Sequence, residues 1–226
     1  MGIGHVAVAL GASRAAPRLN VGWLVFAALL ADFLLGIFAA LGLEHSTVPP
    51  DLAAKHYLLF TFPYSHGLVA LGLWSVIFGF LISRGFGLEA KRIWWVVALV
   101  AVSHFVLDGI VHIAGLPLLG ENSPKFGLGL WRHLDLELLL ETVMAMAGVV
   151  IYWRTVGPGG PALSRYGMTI FVVVVTALTW TQLSMNAAPP PRQLAAMWIF
   201  APLAFAAIAY GFDVTRVRRA FLTSRP

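Results

Sequence analysis

Charge is the scarcest commodity in this chain. Only 11% of its 226 residues are Asp, Glu, Lys or Arg, against about a quarter in a soluble domain, which argues against a water-facing globule. Cysteine is absent altogether. Disulfides, thiolate nucleophiles and thiolate-ligated metals are therefore excluded. No long polar segment exists to make a soluble domain. No internal repeat is visible, which weighs against an inverted-repeat transporter. What remains is mostly apolar: 59% of residues are hydrophobic and the mean hydropathy is +0.84. The composition is that of a polytopic membrane protein. The pI near 10.0 then records loop charges rather than affinity for nucleic acid.

The expected fold class is all-α, a polytopic membrane helix bundle. A bilayer crossing takes about 20 apolar residues, and six segments qualify: 21–43, 62–82, 93–113, 133–154, 165–185 and 193–213. Pro- and Gly-rich linkers separate them, as in "STVPPD" and "NAAPPPR". The first residues, "MGIGHVAVALGAS", have no positive charge ahead of the apolar run, so they read as mature chain rather than signal peptide. They are too short to span and suit either a surface position or a short half-helix that dips into the membrane before Arg14.

Orientation follows from loop cations. With the N-terminus inside, the inner side holds Arg14, Arg18, Arg84, Lys91, Arg92, Arg154, Arg165, Arg216, Arg218, Arg219 and Arg225. The outer side holds Lys55, Lys125, Arg132 and Arg192. Both termini are thus expected to be cytoplasmic. The whole of 1–226 reads as one transmembrane domain, with polar-site helices within 1–154 and peripheral helices in 165–213.

The ionisable residues inside the apolar segments are not scattered. Segment 1 carries Asp32 and segment 2 opens with "FPYSHGL", placing His66 near its outer end. Segment 3 carries His104, Asp108 and His112, and segment 4 carries His133, Glu137 and Glu141. Spacing by four offsets helical neighbours by about 40°, so each of the last two segments presents a polar stripe. At 1.5 Å per residue, Asp32 and His104 both lie about 16 Å above the inner boundary. Asp108 lies at about 22 Å, His66 at about 24 Å, and His5, on an inserted half-helix, at about 13 Å. These five groups can meet. His112 and His133, near predicted boundaries, read as solvated interfacial residues, and His45 and His56 as exposed loop residues. Buried carboxylates and imidazoles in one place suit a divalent metal: zinc where cysteine is lacking, with manganese or iron as alternatives.

The order of "GH" at residues 4–5, Asp32, "SHG" at 65–67, and "SHFVLD" at 103–108 followed by "AGLPLLG" resembles the inner-membrane-bound metal-dependent hydrolase family. That similarity covers mainly residues 1–120. Over nearly the whole chain it resembles a set of small bacterial membrane proteins labelled permease or metal-dependent hydrolase. The resemblance implies a bacterial inner-membrane location and a metal site of His5, Asp32, His66, His104 and Asp108. The chain departs from the hydrolase pattern after Asp32, where Phe33 and Leu34 replace a paired D-x-D. It departs again at Tyr64–Gly67, where a basic residue and Thr-His-Ser are expected.

Three functions stay open. The first is a metal-dependent hydrolase of a lipid or lipid-linked ester or phosphoester, with Asp108 or Glu137 as the catalytic base where not a ligand, and the loop 114–132 over the outer mouth. The second is a small permease or proton-coupled carrier. The third is a non-catalytic subunit bound to a membrane-protein partner. All three place the chain in a lipid bilayer, and none calls for nucleic acid.

Overall fold

A computed structural model describes residues 2–223. Arg225 and the side chain of Arg219, both counted among the inner cations, lie outside what is described. The chain is mostly helical: α1 (Ile3–Ala12), α2 (Val21–Ala28), α3 (Leu30–Ala40), α4 (Leu52–Lys55), α5 (Leu68–Ser83), α6 (Ala90–Val111), α7 (Leu134–Val156), α8 (Met168–Trp180) and α9 (Pro191–Thr223). Two small antiparallel hairpins interrupt them. Strand β1 (His45–Thr47) pairs with β2 (Leu59–Thr61), and β3 (Leu116–Pro117) pairs with β4 (Lys125–Phe126).

Among the described residues, three helices are long and apolar enough to cross a membrane: Gly87–Val111, Leu163–Ser184 and Pro191–Arg218. A fourth is added if α2 and α3, bent by 53° at Leu29, count as one span. The expected second segment shortens to the 16 residues of α5, because residues 62–67 fold as an irregular turn that carries His66. Helix α7 has 23 residues but holds Asp135, Glu137, Glu141 and Arg154 along it.

The N-terminal segment forms a helix buried within the bundle. Helix α1 buries Ile3–Ala7, Ala9 and Leu10 and packs against α2, α6 and α7. Two features hold it there. The Glu141 carboxylate accepts hydrogen bonds from the backbone N–H of Gly2 at 2.9 Å and of Gly4 at 3.1 Å. Those are among the N–H groups a helix start leaves without partners, and a negative charge there is favoured by the helix dipole. Along the contact with α7, a Cβ on Gly148 would stand 2.8 Å from the Ala7 carbonyl oxygen, so only glycine lets the two backbones approach this closely.

Helix α9 runs along both α2 and α3. It is locked at one end by a buried ion pair. Arg216 meets Asp213 through Nε at 2.5 Å and Nη2 at 2.6 Å, and also donates to the carbonyls of Pro17 and Leu19. Asp213 in turn accepts from Tyr152 Oη at 2.6 Å and from the Val21 N–H at 2.8 Å. Arg18 pairs with Glu89, tying the α1–α2 loop to the start of α6. At the opposite end the hairpins close the bundle. Phe62 and Leu116 pack with Ala31, Leu35, Leu71 and Phe105 in a small apolar cluster.

Candidate metal centre

The break between α2 and α3 creates the first feature of the site. In a continuous helix the Ala28 carbonyl would accept from the N–H of Asp32. Here it lies 2.7 Å from Nδ1 of His104 on α6. A carbonyl can only accept, so Nδ1 carries the ring proton and, in the neutral imidazole, Nε2 is a bare lone pair.

His66 is set by a different device. Glu44, 1% exposed, accepts from the backbone N–H of Tyr64 at 2.7 Å and of Ser65 at 2.9 Å. It also accepts from the Ser65 hydroxyl at 2.6 Å. With its proton given to Glu44, Ser65 Oγ is left to accept from His66 Nδ1 at 2.8 Å. The Nε2 of His66 is therefore bare as well. Histidine ligands of metals commonly have this second bond from the remaining ring nitrogen.

The two bare nitrogens face each other across 3.2 Å. Asp108 Oδ2 lies 3.3 Å from His104 Nε2 and 3.7 Å from His66 Nε2. Asp32 Oδ1 lies 3.7 Å from His66 Nε2 and 3.9 Å from His104 Nε2. Two ligands each about 2.0–2.1 Å from a zinc ion in tetrahedral geometry stand roughly 3.3–3.4 Å apart, and the distances here bracket that spacing. Two triads of side chains, His5–His104–Asp108 and Asp32–His66–His104, bring their ligand atoms close enough to hold a metal ion, with His104 common to both.

His5 reaches the centre from α1. Its ring stacks on His104 with centroids 3.8 Å apart and planes 4° from parallel, and its Nε2 lies 3.1 Å from Asp108 Oδ1. Thus His5, Asp32, His66, His104 and Asp108 come together from four separate stretches of backbone, with His104 and Asp108 both on α6. Glu137 does not join them. It is buried on α7 beside Glu141, with no hydrogen bond or ion pair to those histidines and aspartates among the described residues.

His112 corrects the sequence reading. It is buried, not solvated, and its Nε2 lies 3.3 Å from Asp108 Oδ2. Its ring packs on Trp131 with centroids 3.9 Å apart and against Phe62 at 5.7 Å. The loop 114–132 makes this possible by folding back onto the end of α6. Gly129 N–H donates to the His112 carbonyl at 2.8 Å. At Gly127, φ is 153° and a Cβ would lie 2.5 Å from that same oxygen. The loop, residues 58–62, His112 and Trp131 line a cavity of about 390 Å³. His133 stays exposed, as expected. His56 does not hang free: its Nδ1 lies 3.0 Å from the Met185 carbonyl.

Glu44 is the residue that sequence reasoning passed over. It lies just beyond the first apolar segment, beside exposed Leu43 and His45. The adjacent signal was the turn "PYSH", whose N–H groups need an acceptor. Comparisons with protein families, with curated proteins and with solved structures return no match to this chain.

Proposed function

We propose that this protein is a metal-dependent membrane hydrolase, acting on a lipid or lipid-linked ester or phosphoester, with zinc as the metal. The observation that carries the reading is the meeting of two imidazole Nε2 atoms, each with its other ring nitrogen already bonded elsewhere, and two carboxylates. Such a set of lone pairs repels itself unless a cation lies among them. A divalent cation held there would lower the pKa of a bound water toward neutrality and polarise the scissile group. Asp108 orients the imidazoles, with Oδ1 toward His5 and Oδ2 toward His104 and His112. His112, rather than Glu137, handles protons beside Asp108, because it touches Asp108 on one side and the cavity on the other.

The reading includes six membrane crossings, with α1 an inserted half-helix and both termini cytoplasmic in a bacterial inner membrane. The gathering of Arg18, Arg84, Lys91, Arg154 and Arg165 in inner loops supports that orientation. It also accords with the resemblance to the inner-membrane metal-dependent hydrolases.

A second reading, a non-catalytic subunit with a structural polar centre, draws on the burial of four of the five candidate ligands. Metal analysis of the full chain purified in detergent separates the two. The hydrolase reading expects about one divalent metal per chain, lost in His104→Ala, and release of water-soluble or acyl products from a bacterial lipid extract. A well-folded chain that takes up no metal would refute it.

A further inference from the structure

At the hairpin end of the bundle lies a cavity of about 520 Å³ whose lining includes Lys55, His56, Tyr57, Trp131 and Arg132. No Asp or Glu is among its lining residues, so its charge is of one sign.

Local chain geometry builds both walls. Helix α4 stops at His56, which takes a left-handed φ of 56°, and the chain turns sharply after Lys55. His56 is tied down, with Nδ1 3.0 Å from the Met185 carbonyl and its own carbonyl accepting from Gln182 Nε2 at 3.2 Å. The other wall comes from the loop that buries His112. Gly129, at φ 79°, opens the short helical turn Leu130–His133 that carries Trp131 and Arg132. Trp131 stacks on Tyr57, with centroids 5.5 Å apart and planes 17° from parallel.

The two cations are exposed. Lys55 meets Asp51 at 3.0 Å, but these side chains are 43% and 48% exposed. Such an i,i+4 surface pair is weak, and the ammonium keeps donors to spare. Among the described residues the Arg132 side chain forms no hydrogen bond or ion pair. A guanidinium and an ammonium lining one cavity without a carboxylate are a donor set for phosphate. Arginine offers a planar two-pronged face to its oxygens, and lysine a point charge. The volume lies within the roughly 300–1,000 Å³ of ligand pockets, and Trp and Tyr are typical of a membrane–water interface. The neighbouring cavity of about 390 Å³ shares Ile113 and Trp131 with this one and adds Lys125, along with Glu121. Three of the four cations read as outer therefore line two adjoining cavities.

We propose that the cavity between Lys55 and Arg132 binds the phosphate group of a phosphoester, on a lipid headgroup or on a small soluble molecule. The site goes beyond the hydrolase reading and stands without it, since neither cation belongs to the His/Asp group. Trp131 joins the two places: it lines the phosphate site and packs on His112, whose Nε2 lies 3.3 Å from Asp108.

For the test, the full chain in detergent is stripped of metal with a chelator, so that no phosphate is held by a cation at the centre. Phosphatidylglycerol is titrated in and bound lipid is counted by native mass spectrometry, with diacylglycerol as the phosphate-free control. Glycerol 3-phosphate is titrated separately by calorimetry. Arg132→Gln should weaken binding by about tenfold, as expected for loss of a charged hydrogen-bond partner. Lys55→Gln should weaken it less, because Lys55 is shared with Asp51. Arg192→Gln, an outer cation lining neither of these cavities, should leave it unchanged. Arg132-dependent binding of phosphatidylglycerol alone assigns a lipid headgroup, and such binding of glycerol 3-phosphate assigns a soluble phosphoester. The proposal is overturned if neither probe binds, if diacylglycerol binds as well as phosphatidylglycerol with no binding of glycerol 3-phosphate, or if Arg132→Gln loses no more affinity than Arg192→Gln. No readout uses metal or turnover. Failure here therefore leaves the hydrolase reading standing, and a chain that takes up no metal leaves this test intact.

Discussion

The Nε2 atoms of His66 and His104 stand 3.2 Å apart, and each ring has its Nδ1 proton already placed on another partner. This relationship turns a polar stripe on a helix into a site with a definite chemical demand, a cation between two lone pairs.

Metal removal should loosen the bundle. A ligand that binds only the folded chain stabilises it by about 2.7 kcal/mol at a hundredfold excess over Kd. Chelation should therefore lower the melting temperature of the wild-type chain by several degrees. His104→Ala and Asp108→Ala should show no such response, as read by tryptophan fluorescence during heating.

Glu44 should matter without touching the metal. Partners that orient a ligating histidine typically contribute 10–100-fold to metal affinity. Glu44→Gln and Ser65→Ala should each weaken metal binding by about tenfold or more, measured by competition with a chelating dye, while Glu89→Gln should leave affinity unchanged. Equal affinity in all three would show that Glu44 serves only to hold the turn.

Glu141 should control how firmly α1 docks. A hydrogen bond to a charged group is worth about 1.5–3 kcal/mol, and Glu141 receives two from the helix start. Glu141→Ala should raise hydrogen exchange across residues 3–12 and lower metal affinity, because His5 rides on that helix. Gly148→Val should do the same by steric means, since its Cβ would press on the Ala7 backbone.

The Asp213–Arg216 pair should be structural alone. Removing one partner of a buried ion pair destabilises by about 3–5 kcal/mol. Arg216→Ala should greatly reduce the yield of folded protein, with the folded fraction keeping its full metal content. Loss of metal from that fraction would show that the α9 clamp also shapes the centre.

Much of this architecture was legible in the residues. Long apolar runs can hide their backbone polar groups from lipid only as helices, so the helical class and most segment positions follow from composition and length. The shared face of His104 and Asp108 follows from their four-residue spacing on a helix, and depths estimated along the segments put Asp32, His66 and His5 within reach of them. What only the tertiary structure decided concerns partners from distant segments. The bend at Leu29 has no proline or glycine at the break to announce it, and it frees a carbonyl for His104. Glu44 acquires its meaning from a turn twenty residues away in the chain. His112 is buried because a loop folds back over it, and Glu137 is diverted to Glu141. Periodicity reports which residues share a face of one helix, whereas ligand sets and hydrogen-bond partners depend on how separate helices are packed together.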